Sequence, residues 1–332
     1  MSKIENILSK LSLFEERYPG DYGLYNGKTG LTMAYYLMYS ILKEDVYIEK
    51  AKNLVDDLGD NINDAQELGF ENGLSGIGWG IEWLVQNKFI DANTDEILEE
   101  FDDEIYQTVV FAKSPDLSLS NGAIGKGMYF YRRLCSQNQN PSRYRTICNQ
   151  ECLVLLTDEM NSTLLNEDNT LYLETEVLTA VKANELAQTL LFLVTISDLK
   201  INYETTRRLI CKIIGFVKMN QFIDRLKNVG LCDETLYLIY AVYKAGEYVK
   251  DTVLVKLAIE WYLLFYPSFV EHFRTSQFSN IIHNKFSILI PNLPAIEKAN
   301  GNDPQLNIFN ILVSINSIAD KITYGWEEGW GL

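Results

Sequence analysis

Few side chains in this sequence are equipped for chemistry, and they are unevenly spread. There are two histidines, His272 and His283, and five cysteines, Cys135, Cys148, Cys152, Cys211 and Cys232. None of the cysteines forms a Cys-x-x-Cys pair. An odd count behind an N-terminus without an apolar signal core reads as reduced thiols and a cytoplasmic location. Cys148 and Cys152 lie four apart, a spacing that suits two small core residues on one helix face better than half a metal site. Carboxylates are plentiful: 45 Asp and Glu against 29 Lys and Arg give a net charge of −16. That balance excludes nucleic acid as a partner, because phosphate contacts need a basic surface. It favours solubility and would attract a basic peptide or a cation. Glu71, Asp116, Glu185 and Asp233 fall near the starts of apolar, helix-like runs. Two of them facing each other across a cleft, roughly 5 to 9.5 Å apart, would be the equipment of a carbohydrate-cleaving enzyme. No phosphate loop, HExxH motif or serine nucleophile elbow occurs.

The elements that position these groups repeat. "LYNGKTGLTMAYYL" (24–37), "FENGLSGIGWGIEWL" (70–84) and "LSNGAIGKGMYFYRRL" (119–134) each carry Asn-Gly, two residues, Gly, then an apolar and aromatic run. With Asn at 26, 72 and 121, the period of 46 to 49 residues fits two helices and their turns. Asn26, Asn72 and Asn121 are expected to cap the helices that follow. The glycine pairs 27/30, 73/76 and 122/125 give a smooth strip for close backbone approach. Charged amphipathic stretches such as "DANTDEILEEFDDEIYQTVV" suit outer helices with one wet face.

Later copies have lost the glycines. "KANELAQTLLFLV" (182–194), "GLCDETLYLIYAVYKAG" (230–246) and "IIHNKFSILI" (281–290) continue the series, with Asn184, Asp233 and His283 at the matching positions. A seventh copy, "LNIFNILVSINSIADKI" (306–322), follows Pro291, Pro294 and "NGND", so a shortened, irregular connection is expected there. No β alternation persists, all seven prolines read as loop residues, and no window reaches a membrane span. The expectation is one all-α domain over residues 1–332. It would be an α/α toroid of about seven helical hairpins, inner and outer layers alternating, with degenerate last repeats.

Through this repeat, and most closely through "NGLSGIGWGIEWLVQNKFID", the chain resembles the lanthionine synthetase C-like family, the cyclases of lanthipeptide maturation. The resemblance implies an α/α toroid with zinc at its mouth and addition of cysteine thiolates to dehydroalanine or dehydrobutyrine. Zinc would lower the thiol pKa and leave one tetrahedral position open for it, and an acid would protonate the enolate carbon. Laid over the family's ligand motifs, Cys232 takes the first ligand's place and His283 the histidine's. Ile282 stands where a second cysteine is implied. Asp233, next to Cys232, is a candidate replacement oxygen ligand.

Other positions depart as well. Asn184 replaces a histidine implied as acid or base. Asn228 stands where an arginine is implied, with Arg225 and Lys227 nearby. Ser118 replaces an aspartate, with Asp116 two residues away, so Asp116 and Asp233 are the remaining catalytic candidates. The resulting expectation is a degenerate cyclase serving as a peptide-binding or partner subunit, with zinc doubtful. The alternatives are an active zinc cyclase and a carbohydrate-active toroid. Trp79, Trp83, Tyr129 and Tyr131 would line a peptide channel or simply pack between helices. The segment "YGWEEGWGL" (Tyr324 to Leu332), the least family-like part, would close over the toroid, contact a partner or pack on outer helices.

Overall fold

A computed structural model describes residues 3–61, 67–174, 176–219, 221–290, 293–294, 307–318 and 324–332. Fifteen α-helices occur among them: α1 (Lys3–Arg17), α2 (Lys28–Leu42), α3 (Asp45–Asn61), α4 (Leu74–Gln86), α5 (Thr94–Ile97), α6 (Glu99–Phe111), α7 (Ala123–Leu134), α8 (Arg143–Leu164), α9 (Ala180–Ile196), α10 (Tyr203–Val217), α11 (Phe222–Val229), α12 (Asp233–Tyr248), α13 (Thr252–Thr275), α14 (Gln277–Leu289) and α15 (Ile308–Asn316). The only extended pairing among the described residues is a single bridge between Leu165 and Leu171. Two compact units emerge, residues 1–156 with 304–332, and residues 157–303.

In the first unit, α15, α2, α4 and α7 pack side by side in that order, with α1 against α15, α3 against α2 and α6 against α4. The helices that follow the Asn-Gly motifs are therefore the inner row. They are apolar nearly all round, and α4 buries Leu74, Ile77, Trp79, Trp83 and Leu84. The glycines work by absence. A Cβ on Gly30, Gly76 or Gly125 would land on the carbonyl oxygen of Leu24, Phe70 or Leu119, the residue six positions earlier in each copy. Each motif loop thus folds tightly under its own helix. It is closed by Lys28 N–H to Asp21 O (2.8 Å), Leu74 N–H to Glu67 O (2.8 Å) and Ala123 N–H to Asp116 O (2.9 Å). Neighbouring loops are also joined, by Tyr25 N–H to Glu71 O (2.8 Å) and Phe70 N–H to Ser120 O (2.6 Å). The N-cap residues are Gly27, Gly73 and Gly122 in extended conformation, with no side-chain cap, so the asparagines do not cap as expected. Asn72 and Asn121 instead lie against Gly23 and Gly69 of the preceding loops, where any side chain would collide with them.

Not every glycine has such a reason. Gly215 in α10 has open space where its Cβ would be. Gly215→Ala should stabilise the protein by about 1 kcal/mol through helix propensity, read as a raised urea midpoint.

A buried ion network ties α4, α5, α6 and α7 together. The Arg133 guanidinium, wholly enclosed, binds Glu82 (2.8 Å, 0% exposed), Asp102 (2.9 Å, 2%) and Asp95 (3.0 Å). Thr94 Oγ1 accepts a further bond from it, and Tyr129 O–H donates to Asp102 at 2.6 Å. Asp95 and Asp102, which read as wet-face charges in sequence, thus join Glu82 around one inner-helix arginine.

In the second unit, α9, α12 and α14 form the inner row, with α10 against α9 and α13 against both α12 and α14. The sequence register of the worn copies differs from their structural register. Asp233 opens α12, but Asn184 lies in the second turn of α9, and Ile282 and His283 lie in the second turn of α14. Without the glycine loop to fix where each helix begins, spacing alone misplaces the start.

α13 corrects two further expectations. Pro267 lies inside this 24-residue helix and not in a loop; the missing N–H removes one helical bond. The stretch Thr252–Val270 is also long and apolar enough to cross a membrane, with a third of it buried within the fold. Val253, Leu263 and Leu264 are among its exposed residues. Asp251 caps α13, its Oδ1 accepting from Val253 and Leu254 N–H at 3.1 Å, and it pairs with Lys218. Lys218 and the capped amides hold its carboxyl below the usual range. Asp251→Ala should cost about 1 kcal/mol. That stability is present above the unfolded aspartate pKa and lost as pH falls through the lower folded value, which parallel urea titrations of both proteins would show. The expected irregular connection before the seventh copy falls largely outside the described residues; the copy itself is α15, capped by Asn307.

Candidate functional site

Cys232 is the N-cap residue of α12. Its Sγ lies 3.5 Å from Thr235 Oγ1. Burial raises the thiol pKa above its ordinary value, against a smaller opposing pull from Thr235. This environment favours the protonated thiol, not a thiolate.

Asp233 faces a different set of groups. Its carboxylate accepts from Ser276 Oγ (2.7 and 2.9 Å) and Ser279 Oγ, and it pairs with His272 Nε2 at 2.9 Å. This clamp joins the first turn of α12 to the end of α13 and the start of α14. Ser276 is itself the N-cap of α14. His272, Ser276 and Ser279 carried no sequence signal beyond the N-cap pattern Ser-x-x-Ser ahead of an apolar run. The carboxylate is at the centre here, with both serines on it. Among the described residues no serine hydroxyl is bonded to the His272 ring, so the arrangement lacks the relay of a nucleophilic triad.

His283 is 1% exposed. Tyr262 O–H lies 2.6 Å from its Nδ1, and rings of Tyr262, Tyr266 and Phe273 surround it at centroid distances of 4.9 to 6.4 Å. Burial lowers its pKa, and the Pro294 backbone partly opposes that. The sign follows from proton counting. Below the ordinary histidine pKa the unfolded chain binds a proton that the folded chain refuses, so stability falls with acidification. His283→Gln should therefore lose less stability than the parent between about pH 7 and about pH 5.5, where an unperturbed histidine titrates. Urea unfolding at the two pH values measures the difference.

Ile282, in the place of the implied second cysteine, is 0% exposed. Among the described residues, no group of three His, Cys, Asp or Glu side chains converges as metal ligands. A zinc site of the implied kind needs three protein donors. Here one place is taken by a buried hydrocarbon, which leaves only a thiol at a helix cap and an imidazole whose buried Nε2 has no hydrogen-bond partner among the described residues, one donor short. The residues present do not fit that metal.

The remaining sequence candidates are also occupied. Asp116 is exposed and accepts from Ser118 N–H at 2.8 Å, shaping the third motif loop. Asn184 is half-buried on α9. Arg225 donates to the carbonyls of Leu173 (3.0 Å) and Glu174 (2.8 Å), so it braces a loop. Glu185 accepts from Tyr172 O–H. Glu71 is half-buried, and desolvation raises its pKa. Trp79, Trp83 and Tyr129 are 0% exposed and pack within the first unit, and only half-buried Tyr131 retains the exposure a channel lining needs.

Comparison with known proteins locates the chain. A family model described as "Lanthionine synthetase C-like protein" matches residues 18–225, well over half its length. The chain belongs to the lanthionine synthetase C-like family. The matched segment takes in the three glycine motifs and α9 but stops before Cys232, so the family pattern fades where its ligand positions would begin. Among solved structures the chain is similar to "Nisin cyclase", with a TM-score of 0.64 and 14% identity over 98% of this chain and 96% of that one. At that identity the likeness is one of fold, the all-helical α/α toroid class. No curated protein sequence matches. The family is thus carried by the glycine-loop half, and the fold by the whole chain.

Proposed function

We propose that this lanthionine synthetase C-like protein serves lanthipeptide maturation in the cytoplasm as a peptide-binding or partner subunit, not as a zinc-dependent cyclase. Family membership supports the pathway class. The reading against catalysis rests on one observation, the enclosed hydrocarbon of Ile282 where the implied set needs its third donor. Without a metal to lower a thiol pKa, thiolate addition at neutral pH loses its activator. The second reading, a cyclase with Asp233 as replacement ligand, would have to break the clamp of His272, Ser276 and Ser279 on that carboxylate. The net charge of −16 supports a peptide rather than a nucleic-acid partner.

Elemental analysis of the purified protein and of Cys232→Ala, beside incubation with a dehydrated precursor peptide, tests this. Expected are no zinc difference between the two proteins, no thioether product and saturable peptide binding. One zinc per chain that disappears in Cys232→Ala, with cyclised product, would overturn it.

A further inference from the structure

Among the described residues, the main contacts of the segment Tyr324–Leu332 are with the inner row and its motif loop. Its short 3-10 helix, Trp326–Trp330, is bracketed by Gly325 and Gly331 at φ of 68° and 72° and lies against the inner row of the first unit. Inner-row side chains bind its main chain. Trp83 Nε1–H donates to the Tyr324 carbonyl at 2.8 Å, and Tyr25 O–H donates to the Gly329 carbonyl at 3.0 Å. Asn87 Nδ2 adds a longer bond to Tyr324 O, 3.4 Å. The side chains of the segment are also matched. Tyr25 stacks on Trp330 at 5.0 Å with 9° between planes, and Arg132 Nη1 pairs with Glu328 at 3.3 Å. Gly329 sits where a Cβ would come within 2.7 Å of the Trp79 ring.

Side-chain donors held by the inner helices and their motif loop and aimed at a peptide's carbonyls, with a stacking platform and a guanidinium for a carboxylate, are the parts of a peptide-recognition site. Two donors on residues of this face lack acceptors among the described residues. The Trp79 indole N–H and the Arg132 Nε–H are both buried without an acceptor. Buried donors are normally satisfied, and each one left bare costs free energy.

We propose that the face formed by Tyr25, Trp79, Trp83, Asn87 and Arg132 is a binding site for a short acidic, aromatic peptide, which the chain's own Tyr324–Leu332 segment occupies in cis. The site goes beyond the lanthipeptide reading, because its ligand is defined by the segment already bound. Around Arg132 the preference is for an acidic peptide, opposite to what the net charge alone suggests. A ligand that offers one more acceptor than the cis segment displaces it.

The test uses the full chain carrying Gly329→Val, which sets a side chain against Trp79, and a fluorescein-labelled synthetic peptide, YGWEEGWGL. Expected is saturable binding to Gly329→Val at least about tenfold tighter than to the parent, a difference of about 1.4 kcal/mol. Adding Arg132→Gln should weaken that binding by a similar factor. Should Gly329→Val fail to fold, Glu328→Gln loosens the segment without adding bulk and is expected to admit the same peptide. Equal binding to parent and variants, binding indifferent to Arg132→Gln, or collapse of both variants would overturn the proposal, the last by showing that the segment is simply core.

Discussion

Arg133→Met is expected to cost about 3–5 kcal/mol, the loss seen when one partner of a buried ion pair is removed. Methionine fills much of the volume, so packing is not the main loss. The cost comes from Glu82 and Asp102, which stay enclosed with their compensating charge gone. The same reasoning predicts a partial rescue. Glu82→Gln and Asp102→Asn, added to Arg133→Met, remove the stranded charges and should recover part of the loss, although each alone in the parent destabilises. Urea unfolding of the single, double and triple variants measures the coupling, and simple additivity would refute the network account.

Gly76→Ala is the second large effect, a loss of about 3 kcal/mol from a single added methyl. In most helices this exchange gains stability, as expected at Gly215. At position 76 the methyl would occupy the Phe70 carbonyl oxygen. That atom belongs to backbone whose neighbouring N–H groups are bonded to Ser120 O, so the loop cannot yield alone. The opposite signs at two glycines of one protein separate close approach from propensity, and paired urea midpoints would show them.

These residues also mark how far the sequence could be read. The helical-hairpin repeat was legible because Asn-Gly-x-x-Gly recurs with its spacing intact, and a backbone collision enforces that spacing at each copy. The worn copies have no such enforcement. Two of their helices begin where Thr179 and Ser276 cap the first-turn amides, and so Asn184, Ile282 and His283 fall out of phase. Pro267 and the apolar length of α13 were hidden by the habit of reading proline as a helix end. The partners of Arg133 lie 31 to 51 positions away, and pattern cannot connect charges across such intervals. Cys232 and His283 were found by position in a familiar series, yet position does not tell whether a side chain faces a neighbour's ring or an open coordination site. The contacts of Tyr324–Leu332 with Tyr25, Trp83 and Arg132, more than 190 residues distant in sequence, were beyond any local rule.

The first unit is assembled from two stretches that are distant in sequence, with α15 inserted beside α1 and α2. During synthesis, residues 1–156 leave the ribosome long before residues 304–332, and the flank of α2 waits uncovered in the meantime. The intervening unit is continuous in sequence and has been synthesised whole before α15 emerges. A segment translated late therefore seals one made early, and a ribosome that stalls before α15 releases a chain whose α2 flank is exposed and apolar, a substrate for chaperones and proteases.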